Sequence, residues 1–102
     1  MGGGRRKGEL SKSGIDRGWP HQVALHESQL RGPNYVTIRY FIDAEGLSHC
    51  SRGHAFVRNG SYYNVFCFAE KAHAVRFHAR FGGEIIEPKD RPRWPNKPPL
   101  RR

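Results

Sequence analysis

The chain has 102 residues and a mass of 11.7 kDa, which leaves room for one domain. A hydrophobic fraction of 36% and twelve aromatic residues exclude a wholly disordered chain. No apolar run approaches the ~18 residues of a membrane span, and the first residues lack the apolar stretch of a secretory signal. Because Cys50 and Cys67 are the only cysteines, a disulfide scaffold is excluded too, and we expect a cytoplasmic protein with no membrane partner.

Most of the net charge of +9 lies near the two ends of the chain. Residues 1–18 carry +3 and residues 87–102 carry +4, whereas residues 19–86 hold seven basic and five acidic side chains. The first segment is rich in glycine and the last fifteen residues contain five prolines, which disfavours regular structure in both. We therefore predict a nearly neutral α+β domain over residues 19–87, flanked by disordered basic tails over 1–18 and 88–102.

The second half of the chain carries the clearest local signals. Asn59-Gly60 is a strong hairpin turn, and the stretches on either side of it are rich in aromatic and β-branched residues. A segment with helical periodicity then ends at Gly82-Gly83, where a helix commonly stops. The predicted order is strand 54–58, strand 61–68, helix 70–81 and strand 84–87.

The first half leaves two folds open. Residues 19–25 are typical of a strand, and the β-branched and aromatic content of residues 35–42 favours a strand as well. However, Pro33-Asn34 before residues 35–42 and Gly46 after them are typical helix boundaries. A helix here completes the order βαββαβ, a ferredoxin-like plait, which we favour because no strand is left unpaired. The alternative is a β-rich α+β fold with residues 35–42 as a strand.

This order resembles RNA-recognition motifs, whose central strands stack bases on aromatic side chains. The family pattern for the third strand is K/R-G-F/Y-G/A-F-V-x-F/Y. With Phe68 on its last position, Tyr63 falls on a stacking position, Val65 replaces the second stacking aromatic and Ser61 replaces the cation. The resemblance implies a degenerate platform with one stacking residue, Tyr63. The alternative is that Tyr63 only packs across the strands.

A second resemblance covers roughly residues 19–95. The segments RGH at 52–54, YNVFCFAE at 63–70, RFGGE at 80–84 and RPRW at 91–94 are similar to those of a family of small uncharacterised bacterial proteins. The likeness implies a bacterial origin and an independent domain, and it implies no activity.

Histidines and cysteines offer two further kinds of site. Zinc-compatible atoms are offered by His49, Cys50, His54 and Cys67, with His73 or His78. No C-x2-C pair anchors them. Six histidines and two thiols could supply a nucleophile and its base, and Cys50 with His54 is the pair we single out. The glycine motifs that cradle nucleotides do not occur either. We therefore predict no metal, no cofactor and no enzymatic activity.

The basic tails carry the functional prediction. Clusters of lysine and arginine bind phosphate backbones by releasing counterions, and Trp94 has a side chain that stacks on bases. We predict a small nucleic-acid-associated protein. Its contact residues are predicted to be Arg5, Arg6, Lys7, Tyr63, Arg91, Arg93, Trp94, Arg101 and Arg102. The alternative is a protein-interaction module or homodimer that has no nucleic-acid role and uses its proline-rich tail as a docking peptide.

Overall fold

The computed structural model describes residues 11–92, which form an antiparallel four-stranded sheet with helices against both of its faces. The elements are α1 (Lys12–Gly18), β1 (His21–His26), α2 (Pro33–Glu45), β2 (His54–Arg58), β3 (Ser61–Phe68), α3 (Lys71–Phe81) and β4 (Glu84–Ile86). Two short 3₁₀ helices, Glu27–Gln29 and Pro88–Asp90, follow β1 and β4. The predicted α+β class is confirmed.

The strand order in the sheet is β2-β3-β1-β4, and every neighbouring pair is antiparallel. In the central strand β1, Val23 lies opposite Phe66 of β3 on one side and Ile85 of β4 on the other. The connection through α2 passes from β1 to β2 across β3, and the connection through α3 passes from β3 to β4 across β1. Both edges of the sheet are therefore formed by strands that end a helical crossover.

Residues 35–42 lie within α2, so the favoured prediction of a helix for this segment is confirmed. Ile38 and Ile42 are one helical turn apart and both are buried against the sheet. Gly46 ends the helix in the left-handed conformation, with φ of 62°. Burial of this isoleucine pair outweighs the strand propensity of the neighbouring β-branched and aromatic residues, most of which are exposed.

The core beneath α2 and α3 is built around Phe77 of α3. This side chain has no exposed surface, and the centroid of its ring lies 5.1 Å from those of Phe66 and Phe68 on β3. The ring of Phe81, one turn later, is 5.0 Å away. Such aromatic contacts add to the free energy gained from apolar burial, so Phe77 is the centre of this layer.

The opposite face of the sheet is covered in part by α1. Ser11 caps this helix by accepting a hydrogen bond from the Gly14 N–H at 3.0 Å, and Ile15 is buried among Cys50, Val65 and other residues of the sheet face. The sequence predicted disorder through residue 18, and in residues 12–18 the structure differs from that prediction. A seven-residue helix is unstable alone, so docking of its single isoleucine accounts for its formation.

The carboxyl-terminal boundary also differs from the predicted one. Residues 88–90 form a 3₁₀ helix, and the Arg91 side chain is anchored on the sheet face that α1 covers. The predicted contact residues Arg5, Arg6, Lys7, Arg93, Trp94, Arg101 and Arg102 lie outside the described residues. Within residues 11–92, no helix is both long enough and apolar enough to span a bilayer.

Candidate functional site

Tyr63 lies in a row of aromatic rings that crosses three strands on the face away from α2 and α3. It is directly opposite Phe56 of β2 and His26 of β1. The rings of Phe56 and Tyr63 are stacked, with centroids 4.9 Å apart and planes 12° from parallel. The His26 ring meets Tyr63 edge-on at 5.2 Å. The tyrosine that the sequence singled out therefore packs across the strands on both sides.

The guanidinium group of Arg58 lies over this row. Its central carbon is 4.9 Å from the centroid of the Tyr63 ring and 5.4 Å from that of Phe56, both within cation–π distance. Arg58 Nη2 donates a hydrogen bond of 2.5 Å to Glu84 Oε1, and this bond raises the pKa of Arg58. The Arg58 side chain is 36% exposed, so the flat surface presented to solvent is partly the guanidinium plane rather than the tyrosine ring. Bases stack on both kinds of plane.

Phe56 and Arg58 were not among the predicted site residues, although the sequence contains the signal that identifies them. A two-residue turn at Asn59-Gly60 pairs residue 58 with 61 and residue 56 with 63. Because side chains on a strand alternate between faces, Phe56 and Arg58 share the face of Tyr63. Glu84 and His26 come from distant strands, and no local pattern indicates them.

A second polar cluster lies on the same face, where β1 begins. Its centre is the Asp16 carboxylate of α1, which accepts four hydrogen bonds. Their donors are Arg91 Nη1 (2.9 Å) and Nη2 (3.1 Å), Gln22 Nε2 (2.9 Å) and His54 Nε2 (3.0 Å). Arg91 Nη1 also donates to Gln22 Oε1 at 2.9 Å. We call these four residues the Asp16 cluster; it joins α1, β1, β2 and the segment after β4.

The charges of the Asp16 cluster are balanced at neutral pH. Burial raises the pKa of the Asp16 carboxyl, but hydrogen bonds from Arg91 and Gln22 outweigh it and lower the pKa to about 2. Burial lowers the pKa of His54, and the Arg91 charge lowers it further. His54 is thus a neutral donor to Asp16, and one carboxylate neutralises one guanidinium. Only 11% of the Arg91 side chain is exposed, because the guanidinium is bonded to Asp16 and Gln22 inside the protein, and its contact with phosphate stays a prediction.

The zinc-compatible side chains are divided between the two faces of the sheet. His49 contacts Phe66 and Phe68 on the α2 and α3 side, whereas Cys50 and Cys67 are buried on the α1 side. In the part of the chain that the structure describes, no three metal-ligating side chains come together. Burial raises the pKa of the Cys67 thiol to about 12, which leaves it protonated and inert at neutral pH.

The pair that resembled a nucleophile and its base is not assembled as one. Cys50 is 1% exposed, and His54 directs Nε2 to Asp16. No hydrogen bond joins Cys50 to His54 within residues 11–92, so the buried thiol lacks the contact with a base that thiol catalysis requires.

Stability is expected to fall in mild acid because of His54, which is buried, and His49, which is half-buried. Burial lowers the pKa of His49 to about 4, and the pKa of His54 is also lowered. Such a group binds its proton more tightly in the unfolded chain, so folding loses free energy as the pH falls below the unfolded value of about 6.5. We expect the melting temperature to hold steady down to about pH 7 and to fall between about pH 6.5 and 4.

The variant His49→Phe tests this expectation by thermal unfolding across the same pH range. A phenylalanine ring keeps the contacts with Phe66 and Phe68 but cannot bind a proton. The decline in melting temperature should therefore be shallower in the variant, with His54 responsible for the remainder. Parallel pH profiles for the two proteins would show that His49 is not a source of the acid sensitivity.

No protein-family model, curated protein or solved structure matches this chain. The function is accordingly inferred from the geometry of the sheet face itself.

Proposed function

We propose that this protein binds nucleic acid without catalysing a reaction, with phosphate contacts from its basic ends and stacking contacts at Arg58 and Tyr63. The observation that carries the proposal is that one sheet face holds both the aromatic row and the Asp16 cluster, whose Asp16 and Arg91 lie within five residues of Ser11 and Pro92, where the described chain begins and ends. Gln22, in the Asp16 cluster, and His26, in the aromatic row, lie four residues apart on the same face of β1. At ~3.3 Å per residue the two features are about 13 Å apart.

The distribution of charge supports the same proposal. Residues 11–92 contain eleven basic and eight acidic side chains, a net charge of +3, and the remaining residues contribute +6. Seven lysines and arginines are in these outer segments: Arg5, Arg6, Lys7, Arg93, Lys97, Arg101 and Arg102. Electrostatic attraction to phosphates is the main source of sequence-independent affinity for nucleic acid, so these residues would supply most of the binding.

The fold is one that suits this role. Within the α+β class, the sheet order β2-β3-β1-β4 with two helical crossovers supports a ferredoxin-like plait. The proposed stacking surface at Arg58 and Tyr63 lies on the sheet face away from α2 and α3, the face on which RNA-recognition motifs stack bases. Two free, buried thiols support a reducing compartment, for which we propose the cytoplasm. A bacterial origin is proposed on the sequence likeness alone.

Replacing Arg58 by alanine tests the stacking part of the proposal. The variant loses a charge and a flat surface, and we expect about 5- to 30-fold weaker binding of an oligothymidylate, which corresponds to one stacking contact. The matched control is Arg80→Ala. Arg80 also lies over aromatic rings, 4.9 Å from the Phe81 centroid, but belongs to α3 on the other side of the sheet.

Fluorescence anisotropy with a labelled oligothymidylate measures both variants under one salt condition. The proposal requires a clearly larger loss for Arg58→Ala than for Arg80→Ala. Equal losses would mean that Arg58 contributes only its charge, and the sheet face would then not be a stacking surface.

A protein-interaction role is the second candidate, and one feature favours it. A groove of about 360 Å³ runs between α3 and β4 and is lined mainly by apolar side chains. Val75 and Ile85 at this groove are 48% and 53% exposed. If the protein fails to bind nucleic acid at low salt, this groove beside the sheet edge is the surface at which to seek a partner.

A further inference from the structure

Glu84 places a carboxylate at the rim of the candidate stacking surface. It belongs to the edge strand β4, where it lies opposite Ala24 of β1, and its side chain meets that of Arg58 from β2. The bond between them runs from Arg58 Nη2 to Glu84 Oε1. Guanidinium N–H groups point outward in the plane of the group. The carboxylate therefore lies beside the flat cation, next to the position that a stacked base would occupy.

Half of the Glu84 carboxylate has no partner in the described chain. Oε1 accepts the bond from Arg58, and within residues 11–92 no hydrogen bond is made to Oε2. The side chain is 47% exposed, so a ligand on the surface has access to it. A carboxylate only accepts hydrogen bonds, and a group that binds at Oε2 must therefore be a donor.

The bases differ in what they present to such an acceptor. Cytosine carries the N4 amino group, a donor, where thymine carries the O4 carbonyl, an acceptor. Stacking alone does not separate the two, because every base has a flat π face. A hydrogen bond from N4 to the carboxylate is favourable and charge-assisted. An O4 atom in the same place would bring two electron-rich oxygens together.

We propose that Glu84 contacts the edge of the base that stacks on Arg58 and makes the site prefer cytosine to thymine and uracil. This inference rests on the proposed function, because it requires a base on Arg58. The charge-assisted hydrogen bond between the two side chains holds the acceptor in a defined position relative to the stacking plane. Arg58 then supplies the stacking surface, and Glu84 determines specificity.

Anisotropy titrations with a labelled oligodeoxycytidylate and an oligothymidylate of equal length test this preference. The two strands carry the same phosphates, so the contacts of the basic ends cancel in the ratio of the two dissociation constants. At slightly alkaline pH, where cytosine is unprotonated, we expect the unaltered full-length protein to bind the cytidylate about three- to tenfold more tightly, as for one net hydrogen bond. Oligodeoxyuridylate should bind like the thymidylate, which would show that the thymine methyl group is not the cause.

Glu84→Gln is the first variant. Glutamine keeps the shape of glutamate, but its amide donates as well as accepts and can bond to thymine O4 as readily as to cytosine N4. The loss of a negative charge affects both oligonucleotides alike, so the preference for cytosine should disappear. The matched control is Glu87→Gln, which makes the same change on a side chain that is 70% exposed and lies 3.9 Å from Lys89 Nζ. This control should keep the preference.

Arg58→Ala is the second variant. It removes the surface on which the base stacks and the group that holds the Glu84 carboxylate, so the preference for cytosine should disappear along with the stacking contact. Circular dichroism and thermal unfolding show that the proteins compared are folded. Arg58→Ala keeps the test available if Glu84→Gln unfolds.

The two failures are distinguishable. Equal affinities of the unaltered protein for the cytidylate and the thymidylate, or a preference that survives in Glu84→Gln, would overturn the role of Glu84 while leaving nucleic-acid binding in place. Failure of the unaltered full-length protein to bind any of the three oligonucleotides at low salt would overturn the proposed function itself.

Discussion

Replacing Phe77 with alanine is expected to lower the free energy of unfolding by about 3–5 kcal/mol. The side chain is completely buried and its ring touches those of Phe66, Phe68 and Phe81. Truncation removes the transfer free energy of a phenyl group and leaves a cavity lined by rigid rings that cannot collapse into it. Because small domains are stabilised by only about 5–15 kcal/mol in total, this one change should remove a large share of the stability.

Chemical denaturation monitored by circular dichroism measures this loss. Val75→Ala is the matched control, since it shortens another apolar side chain of α3 that is half exposed. The control should change the free energy of unfolding by no more than about 0.5 kcal/mol. A small effect of Phe77→Ala would mean that the layer beneath α2 and α3 is not the principal core.

Neutralising the basic ends is expected to weaken nucleic-acid binding about a hundredfold or more at moderate salt. In this variant of the full-length protein, glutamine replaces seven residues: Arg5, Arg6, Lys7, Arg93, Lys97, Arg101 and Arg102. Each lysine or arginine that no longer contacts a phosphate removes the entropy gained by releasing a counterion, so the losses of binding free energy add up. The described domain, with net +3, should retain only the weaker contacts around Arg58.

Anisotropy titration with the labelled oligothymidylate measures this loss, with melting temperature as the control for folding. The seven positions lie outside the described residues 11–92, and an unchanged melting temperature would show that the variant keeps the fold. Equal affinities for the two proteins would show that the ends do not bind phosphate, and the folded face would have to account for all affinity.

The elements whose sequence signal is local were predictable. Asn59-Gly60 dictates both the hairpin and its register, and the periodicity of residues 70–81 indicates α3 to within one residue. The segment over residues 35–42 was ambiguous because its composition favours a strand and its boundaries favour a helix. Burial of Ile38 and Ile42 decides in favour of the helix, and burial is a property of the whole fold.

The Asp16 cluster could not be predicted, because its contacts are remote in sequence. Asp16 and Arg91 are 75 residues apart, and each stands in a segment whose glycine or proline content is typical of a tail. The composition of a segment indicates how much conformational entropy is lost when it becomes ordered. It does not indicate which distant residues bind the segment and offset that loss. The bidentate pair with Arg91, the hydrogen bonds from Gln22 and His54 and the burial of Ile15 together hold α1 on the sheet.

Only part of the candidate site could be predicted, because some of its contacts also join residues that are remote in sequence. Tyr63 followed from a family pattern, and alternation along β2 indicates Arg58. The guanidinium of Arg58 is held over the tyrosine ring by its hydrogen bond to Glu84. Glu84 belongs to β4, the edge strand on the other side of the sheet from β2. Sequence therefore identified one ring of the candidate site, while the structure identified the cation that lies over it.

The salt dependence of nucleic-acid binding tests the central claim most directly. For single strands, the logarithm of the binding constant falls with the logarithm of salt concentration by ~0.7 per phosphate contact. If most of the seven outer cations engage, the unaltered protein should show a slope of about −3 to −5, and the neutralised variant a slope near about −1. A flat dependence for the unaltered protein, or the same slope for both proteins, would contradict binding through the basic ends.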